Sequence, residues 1–570
     1  MMSCRTTTQF LKNHIINRRL LINSFKYQCL FIINQSYSTL SNKNHSALHD
    51  QTHLNGDQVH YAMKLKSLAN LTEPIYPSTV SSSNLYSQSE FIAEFDSICQ
   101  SGMWLDESHT SAIVGRIVLR RDASKNLIFL VIERDGIQVQ AVMNKQHWPS
   151  TFGENHFQIL SGAIGLGDII YVKGVPGRTK SGQLSIRATC LKMLSPCLHI
   201  YPKKHVLLED ENIRYRQRYL DMLVHRSTVD LFLKRSKIIR TIRSFFDTRE
   251  FVEIETPVLS LMAGGANAKP FTTRMDVMNL DLQMRIAPEL YLKQLVIGGI
   301  DRVYEIGKQF RNEGIDKTHN PEFTTCEFYM AYGTFDQAME LTENLFRDVA
   351  TKVNGSTIVE WETADGQIHQ IDFSQPFKRI EIIPELEKAL GVTLPNVNDQ
   401  SSMETLLQLC NERNIVVQKP FTLPRILDKL ISELIEPKCI DPTFVVGHPV
   451  CMSPLAKSGE NPELADRFEL FVGTKELANA YMELNDPAEQ RRRFASQRMA
   501  RDQGDVEAQP MDESFCLALE YALPPTVGWG LGIDRFCMLM TGTKRIKELI
   551  AFPILKPLEH TTEPSVNQPK

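Results

Sequence analysis

One short stretch of the sequence combines residue types that suit the floor of a ligand site. Phe323, Thr325, Glu327 and Tyr329 occupy every second position of a run that alternates like a β-strand. Side chains of a strand point alternately to its two faces, so these four lie on the same face. An aromatic ring, a carboxylate and a phenol make a poor core, but with Arg311 and Glu313 near the preceding loop they make a plausible ligand floor. The alternative is a solvated edge hairpin.

A glycine-rich run near the C-terminus offers a second place where a ligand can approach the backbone. Residues 528–535 read Gly-Trp-Gly-Leu-Gly-Ile-Asp-Arg, and an apolar helix is predicted to begin at Asp534 and Arg535. The run has neither the GxxxxGK[ST] pattern of a P-loop nor the GxGxxG pattern of a dinucleotide fold. It therefore indicates a nucleotide site of neither common kind.

A third segment carries acidic and amide side chains. Glu469 and Glu476 are candidate metal ligands, although two glutamates seven apart most often lie on a solvated face. The spacing of Glu476, Asn479 and Glu483 fits one face of a helix. The Gly-Thr pair at 473–474 favours a hairpin turn instead, and a bulge must then fall between Glu476 and Asn479. We favour the strand.

The region upstream of these motifs predicts a small β-barrel. Short alternating runs separated by Gly-bearing turns follow one another closely there. Five strands in so short a stretch suit an OB barrel, and a fragment of a β-sandwich is the alternative. The candidate strands are Ala112–Arg120, Leu127–Glu133, Ile137–Met143, Asp168–Val175 and Leu184–Leu194.

The sequence changes character beyond the barrel. Arg226–Arg249 has apolar residues at helical spacing and predicts a long amphipathic helix. Phe251–Pro257 follows as a strand that proline ends. Later strands and helices mix without a regular βαβ alternation, so the fold class is α+β, with helices flanking an antiparallel β-sheet.

Composition excludes several classes of protein. The 570 residues carry 63 Lys+Arg against 67 Asp+Glu, with 42% hydrophobic and 23% charged residues, which excludes a mainly disordered or fibrous chain. The eleven cysteines include no CxxC pair, so neither a disulfide framework nor a zinc site is indicated. Eighteen consecutive apolar residues never occur, and no membrane span is predicted.

The first fifty residues differ from the rest. Met1 to His49 contains six Lys or Arg and no Asp or Glu. This pattern predicts a mitochondrial transit peptide, cleaved before about Met63, and a location in the mitochondrial matrix. A disordered leader is the alternative, and a cytosolic product that starts internally at Met63 stays open. The predicted domains are a leader over 1–50, an N-terminal helix and linker over 51–109, the barrel over 110–205, the α+β domain over 206–556 and a disordered tail over 557–570.

The helix–strand–proline unit, the charged hairpin and the glycine-rich run together resemble the three signature motifs of class II aminoacyl-tRNA synthetases. They occur in the same order and at suitable separations, and the likeness runs from about residue 60 to 555. Four segments are more specifically similar in sequence to lysyl-tRNA synthetases. These segments are Arg285–Tyr291, Phe310–Gly314, His319–Thr324 and Phe468–Phe471.

The resemblance implies a two-step reaction on ATP, L-lysine and tRNA(Lys). Lysine and ATP give lysyl-adenylate and pyrophosphate, and the tRNA 3′-hydroxyl then takes the lysyl group. Neither step needs a protein nucleophile, so positioning and charge stabilisation carry the work. The implied catalytic residues are Arg311, at the α-phosphate, and Arg535, at the γ-phosphate.

Further nucleotide contacts follow from the resemblance. Phe323 is expected to stack on adenine, and Glu469 and Glu476 match the family's Mg²⁺ ligands. Some bacterial relatives carry Arg where this chain has Thr318, which puts one phosphate contact in doubt. The remaining ATP contacts implied are Glu313, His319 and Asn479.

The resemblance also locates an amino-acid pocket. A lysine site needs carboxylates around an ammonium group, and Glu289 and Glu483 are the expected pair. Glu289 follows Pro288, so a helix-start acid is the alternative for it. The rest of the implied lysine site is Gly265, Arg311, Glu327, Tyr329 and Asn479.

The implied partners include the tRNA anticodon and a second copy of the chain. Arg116, Phe129 and Gln140 would read the anticodon on the barrel, and Phe129 as plain core is the alternative. The motif containing Pro257 is the family's dimer seam, so a homodimer is expected. Rival interpretations are an aspartyl or asparaginyl enzyme, disfavoured by the acidic pocket, and a catalytically dead RNA-binding or regulatory relative.

Overall fold

The computed structural model describes residues 56–80, 84–202, 208–363, 365–502, 504 and 508–557. The chain divides into two compact units, Met1–Val206 and Leu207–Lys570, called here the N-terminal and the C-terminal unit. The predicted transit peptide and nearly all of the predicted tail lie outside the described residues. Within those ranges, no helix combines the length and apolar character needed to cross a membrane.

The N-terminal unit is built on a barrel with a few short helices. Its helices are α1 (Gly56–Leu68), α2 (Gln88–Phe95) and α3 (His156–Ala163). Its strands are β1 (Leu85–Tyr86), β2 (Ser111–Ser124), β3 (Leu127–Arg134), β4 (Ile137–Asn144), β5 (Ile169–Arg178) and β6 (Leu184–Ser195).

The barrel closes because β2 pairs with both β3 and β5. The strand order is β2-β3-β4-β6-β5, with the additional β2–β5 pairing returning to the start. All these pairings are antiparallel except β4–β6. Every predicted barrel strand is present, each within a few residues of its predicted bounds. The closure excludes the β-sandwich fragment.

A buried ion pair attaches α1 to the barrel. The Lys64 ammonium group lies 2.6 Å from the Asp168 carboxylate and donates to the Ala163 carbonyl at 2.7 Å. Asp168 also accepts the backbone N–H groups of Gly165 and Cys197. The charge is thus surrounded by donors, which is what a buried carboxylate requires.

The C-terminal unit is organised around one large sheet. The strand order is β15-β16-β17-β18-β19-β12-β11-β7, parallel at the β15–β16 and β11–β7 edges and antiparallel elsewhere. Its strands are β7 (Val252–Glu253), β11 (Arg302–Phe310), β12 (Glu322–Ala331), β15 (Lys378–Glu381), β16 (Thr443–Pro449), β17 (Leu464–Val472), β18 (Lys475–Met482) and β19 (Thr526–Gly532).

Helices and small sheets surround this sheet. The small sheets contain β8 (Leu259–Ser260), β9 (Thr272–Met275), β10 (Leu280–Met284), β13 (Ile358–Glu362) and β14 (Ile368–Asp372). The helices are α4 (Glu211–Arg216), α5 (Arg218–Val224), α6 (Arg226–Asp247), α7 (Glu289–Ile297), α8 (Phe335–Asn354), α9 (Ile382–Leu390), α10 (Met403–Glu412), α11 (Leu423–Leu434), α12 (Pro487–Asp502), α13 (Glu513–Leu519), α14 (Ile533–Thr541) and α15 (Ile546–Leu549).

The main core packs α6 and α8 against one face of the sheet. Ile238, Ile242 and Phe246 of α6 are buried in it, as the helical spacing predicts. The strand predicted over 251–257 is much shorter, because only Val252 and Glu253 pair with β11. Pro257 lacks an N–H and cannot extend the pairing. The helices α9 to α11 form a separate apolar cluster.

Candidate active site

The floor of the site is formed by three adjacent strands, β12, β19 and β18. Gly528 of the middle strand lies between Tyr329 and Tyr481, and Gly530 lies between Glu327 and Asn479. Because the two glycines have no side chains, they leave space above β19, and the flanking strands carry the side chains that face this space. A side chain at Gly528 would collide with the Glu483 carboxylate and the Tyr329 ring, so glycine is required there.

This floor lines a cavity of about 430 Å³. Most of the residues predicted for ATP and lysine contribute to its lining. They are Gly265, Glu289, Arg311, Glu313, His319, Phe323, Glu327, Tyr329, Glu476, Asn479 and Arg535. Glu469 and Glu483 are not among the lining residues, but each lies next to one: Glu469 contacts Arg467, and Glu483 lies beside Gly528.

Arg311 and Phe323 sit together at one side of the cavity. The two strands of their hairpin pair in register from Arg302↔Met330 to Phe310↔Glu322. The guanidinium carbon of Arg311 lies 5.1 Å from the centroid of the Phe323 ring, a cation–π contact. An aromatic plate and a planar cation are therefore presented side by side, which suits a base and its phosphates.

A second cation is held by a chain of polar contacts. The Arg535 guanidinium lies 2.7 Å from Nε2 of His319, and Nδ1 of His319 lies 2.8 Å from the Asp316 carboxylate. Burial alone would raise the pKa of Asp316, but the Thr318 N–H and the His319 ring lower it to about 2. Arg535 also donates to the Glu476 carbonyl at 2.9 Å. These contacts orient Arg535 at the cavity.

Asp534 fixes the start of the helix that carries Arg535. Its carboxylate accepts the backbone N–H of Thr324 at 2.7 Å and pairs with the Arg235 guanidinium of α6 at 2.8 Å. Asp534 is almost fully buried, and α14 begins immediately before it, at Ile533. One carboxylate thus connects α14, β12 and α6 around the nucleotide side of the site.

The two candidate metal ligands lie on β17 and β18. A register shift places Ala478 opposite Leu470 and Glu476 opposite Phe471, leaving Leu477 as the bulged residue. The bulge lies between Glu476 and Asn479, where the strand interpretation requires it. It brings Glu476 and Asn479 to the cavity face although their spacing is odd.

Arg467 organises the carboxylate beside that bulge. Its guanidinium donates to Glu469 at 2.5 Å and to Asn479 at 3.1 Å. Burial alone would raise the pKa of Glu469, but Arg467 and the nearby His448 lower it to about 2. The pKa of Glu476 is raised by burial and by the charge of Glu469. A divalent cation would relieve this repulsion.

The other end of the cavity is closed by buried carboxylates. Glu289 is the first residue of α7, and its carboxylate accepts the Tyr481 hydroxyl at 2.7 Å. Its second oxygen lies 2.6 Å from the ammonium group of Lys293, which also contacts Glu483. Glu289 is therefore both a helix-start acid and a pocket residue. The pKa of Glu327 is raised to about 8, mainly by burial and secondly by the nearby charge of Glu289.

Gly265 packs against this acidic end. Its φ is +85°, and a β-carbon there would lie 3.0 Å from Cβ of Glu289. A larger residue would be strained in backbone and crowded by the pocket wall. The position thus keeps open the part of the cavity above Glu289.

The residues predicted to read RNA lie on β2, β3 and β4 of the N-terminal unit. Phe129 is half-buried while its neighbours Ile128 and Leu130 are buried, so it faces outward rather than into the core. Arg121 lies over its ring at 4.8 Å. Gln140 accepts a hydrogen bond from Ser185 at 2.9 Å. Arg116 donates to the Gly167 carbonyl at 2.7 Å.

Several organising residues were not predicted from the sequence. Three carried a usable spacing signal: Lys293 is four residues after Glu289 on a helix, Arg467 is two before Glu469 on a strand, and Tyr481 alternates with Asn479. Asp316 lies close to His319 in a loop, and no spacing signal in the sequence indicated its role.

Comparison with known proteins agrees with this geometry. Residues 210–556 match the family described as tRNA synthetases class II (D, K and N), and residues 112–194 match an OB-fold nucleic acid binding domain. The fold and site thus define a class II aminoacyl-tRNA synthetase with an OB barrel and an α+β catalytic unit. The predicted fold class is confirmed.

The relatives narrow this class. A lysine–tRNA ligase cla4 of Cladosporium cladosporioides is 47% identical over 453 residues, which are 78% of this chain and 75% of that protein. A probable cytoplasmic lysine–tRNA ligase of Encephalitozoon cuniculi is 45% identical, covering 78% and 87% of the two chains. A lysine–tRNA ligase of Streptococcus thermophilus is 43% identical, covering 79% and 88%. The chain belongs to the class II lysyl-tRNA synthetase family.

Proposed function

We propose that this enzyme, a lysine–tRNA ligase, activates L-lysine with ATP and Mg²⁺ in the cavity of the C-terminal unit and charges tRNA(Lys) for mitochondrial translation. The observation that carries the proposal is the cavity itself. Cations flank an aromatic plate at one side, and buried carboxylates close the other. A nucleotide and an amino acid with a cationic side chain match these two ends.

The chemistry runs through substrate atoms. A lysine carboxylate oxygen attacks the α-phosphorus of ATP, the bond to the bridging oxygen of the β-phosphate breaks, and pyrophosphate leaves. The tRNA 3′-hydroxyl then attacks the lysyl carbonyl carbon, the bond to the AMP oxygen breaks, and AMP leaves. The protein's task is to position these groups and stabilise the developing charge.

Arg311 is the residue that meets the α-phosphate. Its planar guanidinium offers paired donors to two phosphate oxygens, and its contact with Phe323 orients it. Phe323 stacks on the adenine ring, and Arg535 binds the γ-phosphate while His319 holds it. Glu313 lines the same side of the cavity and completes the nucleotide contacts.

Glu469 and Glu476 are proposed to hold Mg²⁺ together with phosphate oxygens. Their carboxylates supply hard oxygen ligands, and the charge of Glu469 raises the pKa of Glu476, a repulsion that a cation removes. Among the described residues no group of three or more His, Cys, Asp or Glu side chains is placed to hold a metal ion by itself. Mg²⁺ fits such a site because it commonly shares its coordination with phosphates. When bound, it neutralises phosphate charge.

Lysine is proposed to enter with its side-chain ammonium toward Glu289 and Glu483. Gly265, Asn479 and Tyr329 surround the path, and Glu327 lies on the floor between the two ends. An aspartate or asparagine substrate would leave this acidic end unpaired, which costs free energy. The pocket therefore favours the lysine enzyme over its aspartyl and asparaginyl relatives.

The outer face of the barrel is proposed to bind the anticodon. Phe129 offers a ring for base stacking, and Gln140 offers an amide for a base edge. Arg116 supports the site from the adjacent strand, where it already donates to the Gly167 carbonyl. These residues belong to the N-terminal unit, so they serve tRNA selection rather than adenylate formation.

A homodimer is proposed through the surface that follows Pro257. Leu259 and Leu261 are 48% and 69% exposed, and Val277 and Met278, in the turn that joins β9 to β10 of the same small sheet, are 96% and 67% exposed. Large exposed apolar side chains of this kind are typical of an interface. Analytical ultracentrifugation is expected to show a dimer for the native chain and a monomer for Leu261→Glu.

The mitochondrial assignment is supported by the acid-free, basic segment before Asp50. A fusion of residues 1–62 to a fluorescent protein is expected to reach the matrix and be cleaved.

The full activity is tested by charging purified tRNA(Lys) with labelled lysine. Label that stays acid-soluble, from a folded enzyme supplied with ATP and Mg²⁺, would contradict the proposed function.

A further inference from the structure

A single buried lysine lies between the two carboxylates at the closed end of the cavity. Lys293, on α7, is fully buried, and its ammonium group is 2.6 Å from Oε1 of Glu289. The same group contacts Oε2 of Glu483, which is also fully buried. The rings of Tyr481 and Phe515 lie 5.8 and 5.6 Å from the ammonium group. Lys293 thus joins α7 to the segment that follows β18.

Packing alone does not account for a charge at this position. The buried neighbours of Lys293 on the helix are Leu290, Leu292 and Val296, so an apolar residue would extend the same cluster. A buried ion pair is often replaceable by apolar residues at no loss of stability. The charge is explained by Glu289 and Glu483, which the proposed function assigns to substrate.

The two carboxylates keep one oxygen each for other partners. Oε2 of Glu289 accepts the Tyr481 hydroxyl, which orients the carboxylate from the opposite side. Oε1 of Glu483 lies over Gly528 beside the Tyr329 ring, and it has no hydrogen-bond partner among the described residues. A buried acceptor without a donor is costly unless a ligand completes it.

We propose that Lys293 is a positioning residue for substrate selection: a built-in ammonium ion that fixes the Glu289 and Glu483 carboxylates and leaves the open oxygen of Glu483 to the substrate's ammonium group. The inference rests on the proposed lysine pocket. When both carboxylates are ionised, they and the Lys293 ammonium group carry a net charge of −1, which one incoming ammonium group neutralises. A substrate with a neutral side chain would leave that negative charge unpaired. A substrate with two positive charges on its side chain would exceed it.

Lys293 also favours the ionised form of the Glu483 carboxylate. Burial raises the pKa of Glu483 well above its ordinary range, and the Lys293 ammonium is the strongest opposing influence. The charges of Glu289 and Glu327 also act on the Glu483 carboxylate, and both raise its pKa further. Removing the ammonium therefore raises the pKa of Glu483, and the carboxylate then binds a substrate cation only at higher pH.

The test compares lysine and ATP kinetics in ATP–pyrophosphate exchange on the full chain carrying Lys293→Met. We expect the lysine KM to rise about 30-fold or more, while the ATP KM stays within about twofold. Lys64→Met removes another buried lysine–carboxylate pair, in the N-terminal unit, and serves as the matched control. It is expected to lower thermal stability and to leave the lysine KM unchanged.

The pH profile separates positioning from a merely structural role. In Lys293→Met, the acidic limb of kcat/KM for lysine is expected to move to higher pH than in the native enzyme. Lys293→Gln, which keeps a donor of similar length without the charge, is expected to show the same shift and covers the case in which the Met variant does not fold. A pH profile that stays in place in the folded variant would overturn the inference.

The same assay distinguishes this inference from the pocket on which it rests. A native lysine KM in the Lys293 variants, with a raised lysine KM in Glu483→Gln, overturns the role of Lys293 alone. A native lysine KM in Glu483→Gln as well overturns the pocket. Equal increases in the lysine and ATP KM values of Lys293→Met would also contradict the inference, because they indicate general disruption.

Discussion

Arg311 illustrates how one side chain is proposed to serve the reaction without taking part in a covalent step. Its guanidinium rests against Phe323, and the cavity lies in front of both. In the proposed reaction, negative charge grows on the α-phosphate, where a fixed cation lowers the barrier. Because Arg311 belongs to the C-terminal unit, its loss is expected to spare the barrel.

Arg311→Ala is expected to reduce adenylate formation by about 10³-fold, because a preorganised donor at the developing charge is lost. Pyrophosphate exchange measures the first step, and a filter-binding assay with tRNA(Lys) measures the control. Equal loss of exchange and tRNA binding would show that the substitution disturbs the fold instead.

Glu483→Gln is expected to raise the lysine KM by about 10- to 100-fold with little change in the ATP KM, because a buried carboxylate that pairs with an ammonium is replaced by a neutral amide. Steady-state exchange at varied lysine and varied ATP gives both values. Unchanged lysine kinetics would remove Glu483 from the pocket.

At the scale of single residues, the sequence motifs account for most of the cavity lining. Arg311, Phe323 and Arg535 were predicted because their types and spacing are distinctive. Lys293 and Arg467 were not, since a lysine on a helix and an arginine on a strand most often face solvent. The role of Lys293 depends on Glu483, which a distant segment brings to it, and that of Arg467 depends on Glu469 of its own strand and on Asn479 of β18.

Among the elements, α14 shows how distant segments fix the site. It begins at Ile533, and Asp534 in its first turn pairs with Arg235 of α6 and accepts the N–H of Thr324 on β12. The position of Arg535 depends on this contact. A substitution of Asp534 is therefore expected to affect both stability and ATP use.

Asp534→Asn is expected to destabilise the enzyme by about 3 kcal/mol, because it leaves the Arg235 charge buried without its partner. Asp336→Asn breaks an exposed pair with Arg379 and is expected to cost within about 0.5 kcal/mol. Urea unfolding of the C-terminal unit gives both values. Equal costs would contradict the structural role of Asp534.

Element boundaries followed from the sequence wherever a periodic pattern was long. The barrel strands and the helix predicted from Arg226 lie close to their predicted bounds. The strand predicted over 251–257 shrinks to two residues, because strand length depends on a partner that the local pattern does not reveal. The bulge at Leu477 was predictable only because three polar residues had to share a face.

On the scale of the whole molecule, the two units carry different tasks. The cavity and its charged residues all lie in the C-terminal unit, and the proposed anticodon face lies in the N-terminal unit. Selection of the amino acid and selection of the tRNA should therefore respond to different substitutions. The predicted transit peptide lies outside the described residues and depends on sequence alone.

Phe129→Ala is expected to raise the KM for tRNA(Lys) by about 10- to 100-fold, because the stacking platform is lost. Pyrophosphate exchange without tRNA is expected to stay at the native level. Phe152→Ala changes an exposed aromatic residue of the same unit and serves as control. A fall in exchange for Phe129→Ala would contradict the separation of tasks.

The central claim is that the acidic end of the cavity selects lysine for activation by ATP. Amino-acid-dependent ATP–pyrophosphate exchange, with each of the standard amino acids tested separately, measures this most directly. Our account predicts exchange with lysine alone. Exchange with aspartate or asparagine would keep the fold and contradict the pocket, and the absence of exchange from a folded, ATP-binding enzyme would favour a catalytically inactive relative.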